Sequence, residues 1–292
     1  MADPAFGRIP DSLAPKIASY SLTDPNHPEI ELAQVEHRLR LTNEWALKPG
    51  TRVVELGCGQ GNTTAVLAEA IGPSGHIDAV DPGALDYGSP FTLQQAQSYL
   101  SASPVGERIT WHQATPQEFL AADADTIWDV AVLSHCIWYF SSEQVFEEIF
   151  TALKGRVSTI CVAEYALFAT EKAAMPHVLA VVARGTLESL KEHSTQNIRS
   201  LLSPKAITNI AAKADWNLAE ECTVVPNEGL LDGEWEAGSV ASDRFWDDVK
   251  HNVPNERLQA VIHSTRDGVT QAVARCPNGK VRTMDVWVSK FT

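Results

Sequence analysis

No apolar run in this 292-residue chain is long enough to span a membrane; the longest candidate, "DVAVLSHCIWYF", is broken by Ser134 and His135. Basic residues are scarce: 23 Lys and Arg against 37 Asp and Glu leave a formal charge of −14. Such a chain repels a phosphate backbone and an anionic lipid surface, so neither nucleic acid nor a membrane is expected as partner. The start, "MADPAFGRIPDSL", lacks the basic and apolar regions of a secretory signal. Cysteine is thinly spread, at Cys58, Cys136, Cys161, Cys222 and Cys276, with no CxxC and no metal-ligand spacing. Scattered thiols in odd number fit a reducing compartment, and the expected location is the cytoplasm. There is no internal repeat, low-complexity tract or clear linker, and nothing sets an oligomeric state.

What is present is an alternation of strand-like and helix-like runs. An amphipathic helix, "EIELAQVEHRLRLTNEWAL", is stopped by "KPG". Strands are expected at "TRVVEL", "HIDAVD", "ITWHQA", "WDVAVLSH" and "STICVAEYAL". Helices are expected between them at "NTTAVLAEAIG", "SPFTLQQAQSYLSAS", "PQEFLAA" and "SSEQVFEEIFTALKG". Apolar strands alternating with helices predict a mostly parallel sheet covered on both faces. Beyond residue 169 the pattern turns helical, with a strand at "LAEECTVVP", a loop at "NEGLLDGEWEAGS" and a last strand at "KVRTMDVWVSKF".

The first strand runs into "ELGCGQG". A glycine-rich turn from strand to helix lets a ligand lie against bare backbone. A dinucleotide fingerprint, G-x-G-x-x-G, would need its third glycine at position 62, which is Asn62. The observed spacing places Gly57, Gly59 and Gly61 at alternate positions, with Glu55 two residues ahead. An acid there would repel a pyrophosphate and favour a cationic ligand. The second strand ends in Asp81, where a carboxylate can accept both hydroxyls of a ribose.

These residues resemble motif I and motif II of the class I S-adenosylmethionine (SAM) dependent methyltransferases, most clearly over residues 30–168. The layout with "DGEWEAGS" and "RTMDVWVSKF" resembles small-molecule methyltransferases of fungal secondary metabolism. The resemblance implies a Rossmann-like, doubly wound, mostly parallel seven-stranded sheet with an antiparallel last strand and helical lid insertions. It implies one domain: a SAM-binding core over about 45–168, an N-terminal arm over 1–44, lid elements over 170–255, and a last helix and strand over 256–292. It assigns Glu55, Gly57, Cys58, Gly59 and Gly61 to the cofactor, with Asp81 and Pro82 from the second loop and Ser134 from the fourth. After strand three, relatives often carry an acid-containing pair that reaches the adenine amine. Here Ala114 and Thr115 stand there, leaving a threonine hydroxyl for that contact.

In open α/β sheets ligands bind beyond the C-terminal strand ends, so His135, at the tip of strand four, is the candidate general base. Glu164, at the end of strand five, is a second candidate. Trp138, Met175, His177 and Trp235 are expected to line a pocket for a small substrate. The tips of strands four and five lack the carboxylate cluster that metal-dependent relatives need, so no metal is expected. The expected reaction is methyl transfer to O, N, S or activated C. The alternative is a SAM-binding protein, such as a partner subunit, that transfers no methyl group.

Overall fold

The computed structural model describes residues 8–194 and 196–292. Five strands lie parallel: β1 (Arg52–Leu56), β2 (His76–Asp81), β3 (Ile109–Gln113), β4 (Val130–Ser134) and β5 (Thr159–Tyr165). β6 (Leu218–Val224) and β7 (Val286–Phe291) complete a seven-stranded sheet of order β3-β2-β1-β4-β5-β7-β6. β7 runs antiparallel to both neighbours. This is the expected doubly wound sheet, with its chain reversal between β1 and β4. The interior strands are apolar on both sides: Val53, Val54, Ala131, Val132, Leu133, Ile160 and Val162 are all fully buried.

Helices cover the two faces. On one, α1 (Ala14–Ala18), α2 (Pro28–Trp45) and α3 (Asn62–Ile71) pack together with Val53, Ile77 and Val132. On the other, α5 (Pro116–Ala122), α6 (Glu143–Leu153) and α8 (Pro204–Lys213) close over Val54, Leu133 and Ile160. A further bundle, α7 (Met175–Glu188), α9 (Asp232–Ala241), α10 (Asp243–Asn252) and α11 (Glu256–Val273), has its own core of Ala180, Leu187, Val240, Phe245 and Ile262. α4 (Leu93–Ser101) connects β2 to β3. Its start is fixed by a capping box of Thr92 and Gln95. Among the described residues, no helix is long and apolar enough to cross a membrane.

The segment expected as a loop, "NEGLLDGEWEAGS", holds most of α9. Its glycines lower helix propensity, yet Gly233 is where the helix backbone presses on another chain segment. A Cβ there would stand 2.3 Å from the carbonyl oxygen of Arg282. The Gly233 amide also bonds to the Thr283 hydroxyl at 3.1 Å. The N-terminal arm carries a 3-10 turn (Asp11–Leu13) and α1, and it is docked. Ile17 is fully buried, Ile9 and Asn43 exchange two hydrogen bonds, and Lys16 reaches Glu69 at 2.9 Å. The arm's first seven residues lie outside the described residues.

Candidate active site

The first half of the site is built from the tips of β1, β2 and β3. Gly57 and Cys58 donate their amides to the Val80 carbonyl at 2.8 and 3.1 Å, which ties the glycine loop to the end of β2. Asp81 completes the tie. Its Oδ2 accepts from the Gly59 amide at 2.9 Å and its Oδ1 from the Gly83 amide at 2.8 Å. The Ala114 amide reaches the Asp81 carbonyl at 3.2 Å, bringing in the third loop. Gly57, Gly59 and Gly61 have φ of +80°, +53° and +94°, a region that L side chains avoid. A Cβ at Gly57 would meet Cys136, and one at Gly61 would meet Trp111 and Leu100. At Gly59 it would meet nothing within 4 Å. The loop is thus packed at its ends and open in its middle, against the N-terminus of α3, which has no side-chain cap.

Glu55 does not stand in this opening as a free anion. It is 1 % exposed, and its Oε2 accepts from the Thr64 hydroxyl at 2.6 Å. Burial pushes its carboxyl up to about 7, against a partial lowering by Thr64 and Arg38. The folded chain therefore keeps a proton that the unfolded chain releases near 4.5. Between those two values the folded state binds the extra proton, so stability falls as pH rises and levels off above about 7. Glu55→Gln keeps an acceptor for Thr64 and removes the ionisation. It is expected to be the more stable form by about 3 kcal/mol near pH 8, with no difference near pH 4. Urea unfolding at both pH values checks this; a difference that does not change with pH would refute it.

Thr115 caps α5. Its hydroxyl donates to Glu118 at 2.7 Å and accepts from the Glu118 amide at 3.2 Å. The donor expected to meet adenine is therefore committed to a capping box. Pro82 is exposed beside the second loop. Two buried thiols flank the glycines. Cys136 donates to the Leu56 carbonyl at 3.1 Å, and Cys58 is 7 % exposed. Burial raises both thiols well above their usual range, and the Glu55 and Asp81 carboxylates add to the effect.

The second half gathers at the tips of β4 and β5. Ser134 ends β4 with its hydroxyl buried and without a partner among the described residues. His135 follows with φ +52°, in the left-handed region, which histidine enters more readily than most side chains. Its ring lies between Tyr165, at 4.6 Å between centroids, and His37 of α2, at 5.2 Å. The Nε2 atoms of His37 and His135 are 3.0 Å apart. His135 Nδ1 stands 3.7 Å from Glu164 Oε1, an ion-pair distance. Glu164 is itself fixed: its two oxygens accept from the amides of Ile137 at 3.0 Å and Tyr165 at 2.9 Å.

Of the four residues expected to line a substrate pocket, His177 comes closest. Its ring meets Tyr165 edge-on at 4.9 Å, and its Nδ1 accepts from the Met284 amide at 3.1 Å. Burial holds it down to about 4, so it stays neutral. Trp138 belongs to the core instead. It is 3 % exposed, its indole donates to the Leu202 carbonyl, and it backs Tyr165 at 5.5 Å. Met175 and Trp235 are 40 % and 51 % exposed, at the surface of α7 and α9. Sequence reasoning missed His37, as well as Gln34 and Asp232, whose side chains join α2 to α9 at 3.2 Å. A histidine and a glutamine within the buried face of a helix were the available signal. Two surface depressions, of about 460 Å³ along α7 and α11 and about 660 Å³ between the arm and β6, lie away from these strand tips.

Residues 53–156 match the family described as a methyltransferase domain. Methyltransferases phomM′ and phomM of the fungus Diaporthe leptostromiformis are each 28 % identical over 280 residues, covering 80 % of this chain and 71 % of the relative. A cyclopropane-fatty-acyl-phospholipid synthase-like protein from Lactobacillus casei superposes with a TM-score of 0.84 at 26 % identity, over 97 % of this chain and all of that one. Residues 53–156 are thus a methyltransferase domain, and the chain is a SAM-dependent methyltransferase. Its cofactor is SAM. The methyltransferase also shares its fold with cyclopropane synthase MmaA2 from Mycobacterium tuberculosis, at 11 % identity and a TM-score of 0.51 over 98 % and 96 % of the two chains.

Proposed function

We propose that this methyltransferase acts on a small molecule of secondary metabolism, and that the two halves of the site divide the work. The observation that carries this reading is the junction of Gly59 with Asp81 at one pair of strand tips, beside His135 and Glu164 at the next. The residues fit the cofactor. The open backbone at Gly59 admits a ligand, the Asp81 carboxylate offers acceptors for ribose hydroxyls, and Gly57, Cys58, Gly61, Pro82, Ala114 and Ser134 surround them. When bound, SAM supplies an electrophilic methyl group. The chain's own part is to hold the acceptor near it, exclude water and remove a proton. His135 is suited to hold that proton at the end of transfer, because Glu164, 3.7 Å from its Nδ1, would balance a positive charge on the ring. Tyr165, His177 and Asp232 form the wall opposite.

In this reading residues 45–168 are the cofactor core of a single domain, and the elements from 170 to 255 cover it. The acceptor atom is O, N, S or an activated carbon. Calorimetry with S-adenosylhomocysteine (SAH) and with NAD tests the cofactor half: SAH is expected to bind and NAD to give no heat of binding. A panel of small alcohols, thiols and amines incubated with SAM and read by mass spectrometry tests the acceptor half. Binding of NAD without SAH would overturn the assignment. SAH binding with no methylated product across the panel would favour a protein that binds the cofactor without transfer.

A further inference from the structure

Two imidazole nitrogens 3.0 Å apart share one proton, since one must donate and the other accept. Glu164 decides which. His135 Nδ1 also makes no hydrogen bond among the described residues, but the Glu164 carboxylate 3.7 Å away draws a proton onto it electrostatically, which leaves His135 Nε2 bare. His37 Nε2 must then carry the shared hydrogen, which leaves His37 Nδ1 bare. That nitrogen is buried and has no partner among the described residues. A buried acceptor without a donor calls for a ligand or a function. α2 is placed to offer one. At successive spacings of three, Glu31 reaches Asn62 at the start of α3, Gln34 reaches Asp232 of α9, and His37 reaches His135 at the tip of β4. This strip of α2 crosses the strand tips between the cofactor loop and the covering helices.

Building on the methyl-transfer reading above, we propose that His37 is a catalytic residue, receiving the acceptor's proton on Nδ1 while passing its own Nε2 proton to Nε2 of His135. The X–H bond of the acceptor breaks and an N–H bond forms at His37 Nδ1. The N–H bond at His37 Nε2 breaks and one forms at His135 Nε2. The electron pair left on X would make the new bond to the donor's methyl carbon as that carbon's bond to sulfur breaks, with the pair of the broken bond kept by sulfur. Positive charge ends on His135 beside Glu164, and not on His37, where burial, His135 and the neighbouring Arg38 and Arg40 all oppose it. The titratable and charged groups facing the pair are Arg38 and Arg40 from α2, Glu164 and Tyr165 from β5, and His177 from α7.

Nitrogen-15 NMR of the histidine-labelled full chain tests this without any acceptor, with His37→Gln and His135→Asn to assign the signals. Near pH 8, His37 is expected as the Nε2–H tautomer and His135 as the Nδ1–H tautomer. On acidification both rings should move with one midpoint, and the His37 proton should switch to Nδ1. A contact that only holds the fold would show no such switch. A proton on His37 Nδ1 near pH 8, or two rings titrating independently, would overturn the proposal. SAH affinity, measured alongside, is expected to stay within about twofold in His37→Gln. Failure of the parent to bind SAH would sink the methyl-transfer reading itself, whatever the tautomers.

Discussion

His135→Asn is expected to lower turnover by about 10²–10⁴ on an alcohol or high-pKa thiol, while SAH affinity changes little. Asparagine is the informative replacement because position 135 has φ +52°. Asn tolerates the left-handed region better than most residues, so the backbone at the tip of β4 keeps its shape. Its amide can still bond to His37 but cannot accept a proton at neutral pH. The loss should be confined to kcat, because the ring lies with His37, Glu164 and Tyr165, across the strand tips from the Gly59–Asp81 junction. The limb of the pH–rate profile that reports the base should vanish with it. His37→Gln should fall in the same range, and the double variant should be no worse than either single one, as for groups that act as a unit. An acceptor that is already ionised, or a neutral amine, needs no base, and with it the variants should stay within about tenfold of the parent. A loss of SAH binding in His135→Asn, or additive losses in the double variant, would refute this division of labour.

The glycine loop yields the second large effect, and here two neighbouring glycines should fail in opposite ways. At Gly57, with φ +80°, a Cβ would stand 2.5 Å from the Cβ of Cys136 and 3.0 Å from its sulfur. Gly57→Ala therefore combines left-handed strain with overpacking, and a loss of about 2–4 kcal/mol of folding stability is expected. At Gly59, with φ +53°, a Cβ meets no atom within 4 Å. Gly59→Ala should cost only about 1–2 kcal/mol of strain. Its methyl group would instead fill the opening held by Asp81, so SAH should bind at least about tenfold more weakly, the equivalent of about 1.4 kcal/mol. Urea unfolding and calorimetry on both variants separate the two effects. A Gly59→Ala protein that binds SAH as tightly as the parent would remove the loop from the cofactor site.

That loop was legible in the sequence because its requirement is local. Three positions with positive φ need glycine, and the strand before and helix after announce themselves by pattern. The sheet was legible for the same reason, down to the antiparallel last strand. At Thr115 a second local signal was passed over: Thr115 followed three residues later by Glu118 is a capping box, so the helix end also claims that hydroxyl. The acceptor side was largely illegible. His37 and His135 are 98 residues apart in the chain, and Gln34 and Asp232 are 198 apart. No periodicity links them; only the path of α2 over the strand tips does. Trp138 and Trp235 show how poorly an aromatic residue near a site predicts its place. One finds a carbonyl in the core, and the other stands in solvent.

The two thiols beside the glycine loop bear on a hazard that any protein handling an alkylating agent must meet. Sulfur is the best nucleophile a protein owns, but only as thiolate. Cys58 and Cys136 sit in the wall of the loop, one held beneath the Leu56 carbonyl and both kept from ionising by burial and by the acids around them. In that state they are inert towards an electrophilic carbon. The acidic, apolar setting of the loop thus holds both sulfurs as thiols, the form least reactive towards an electrophilic carbon.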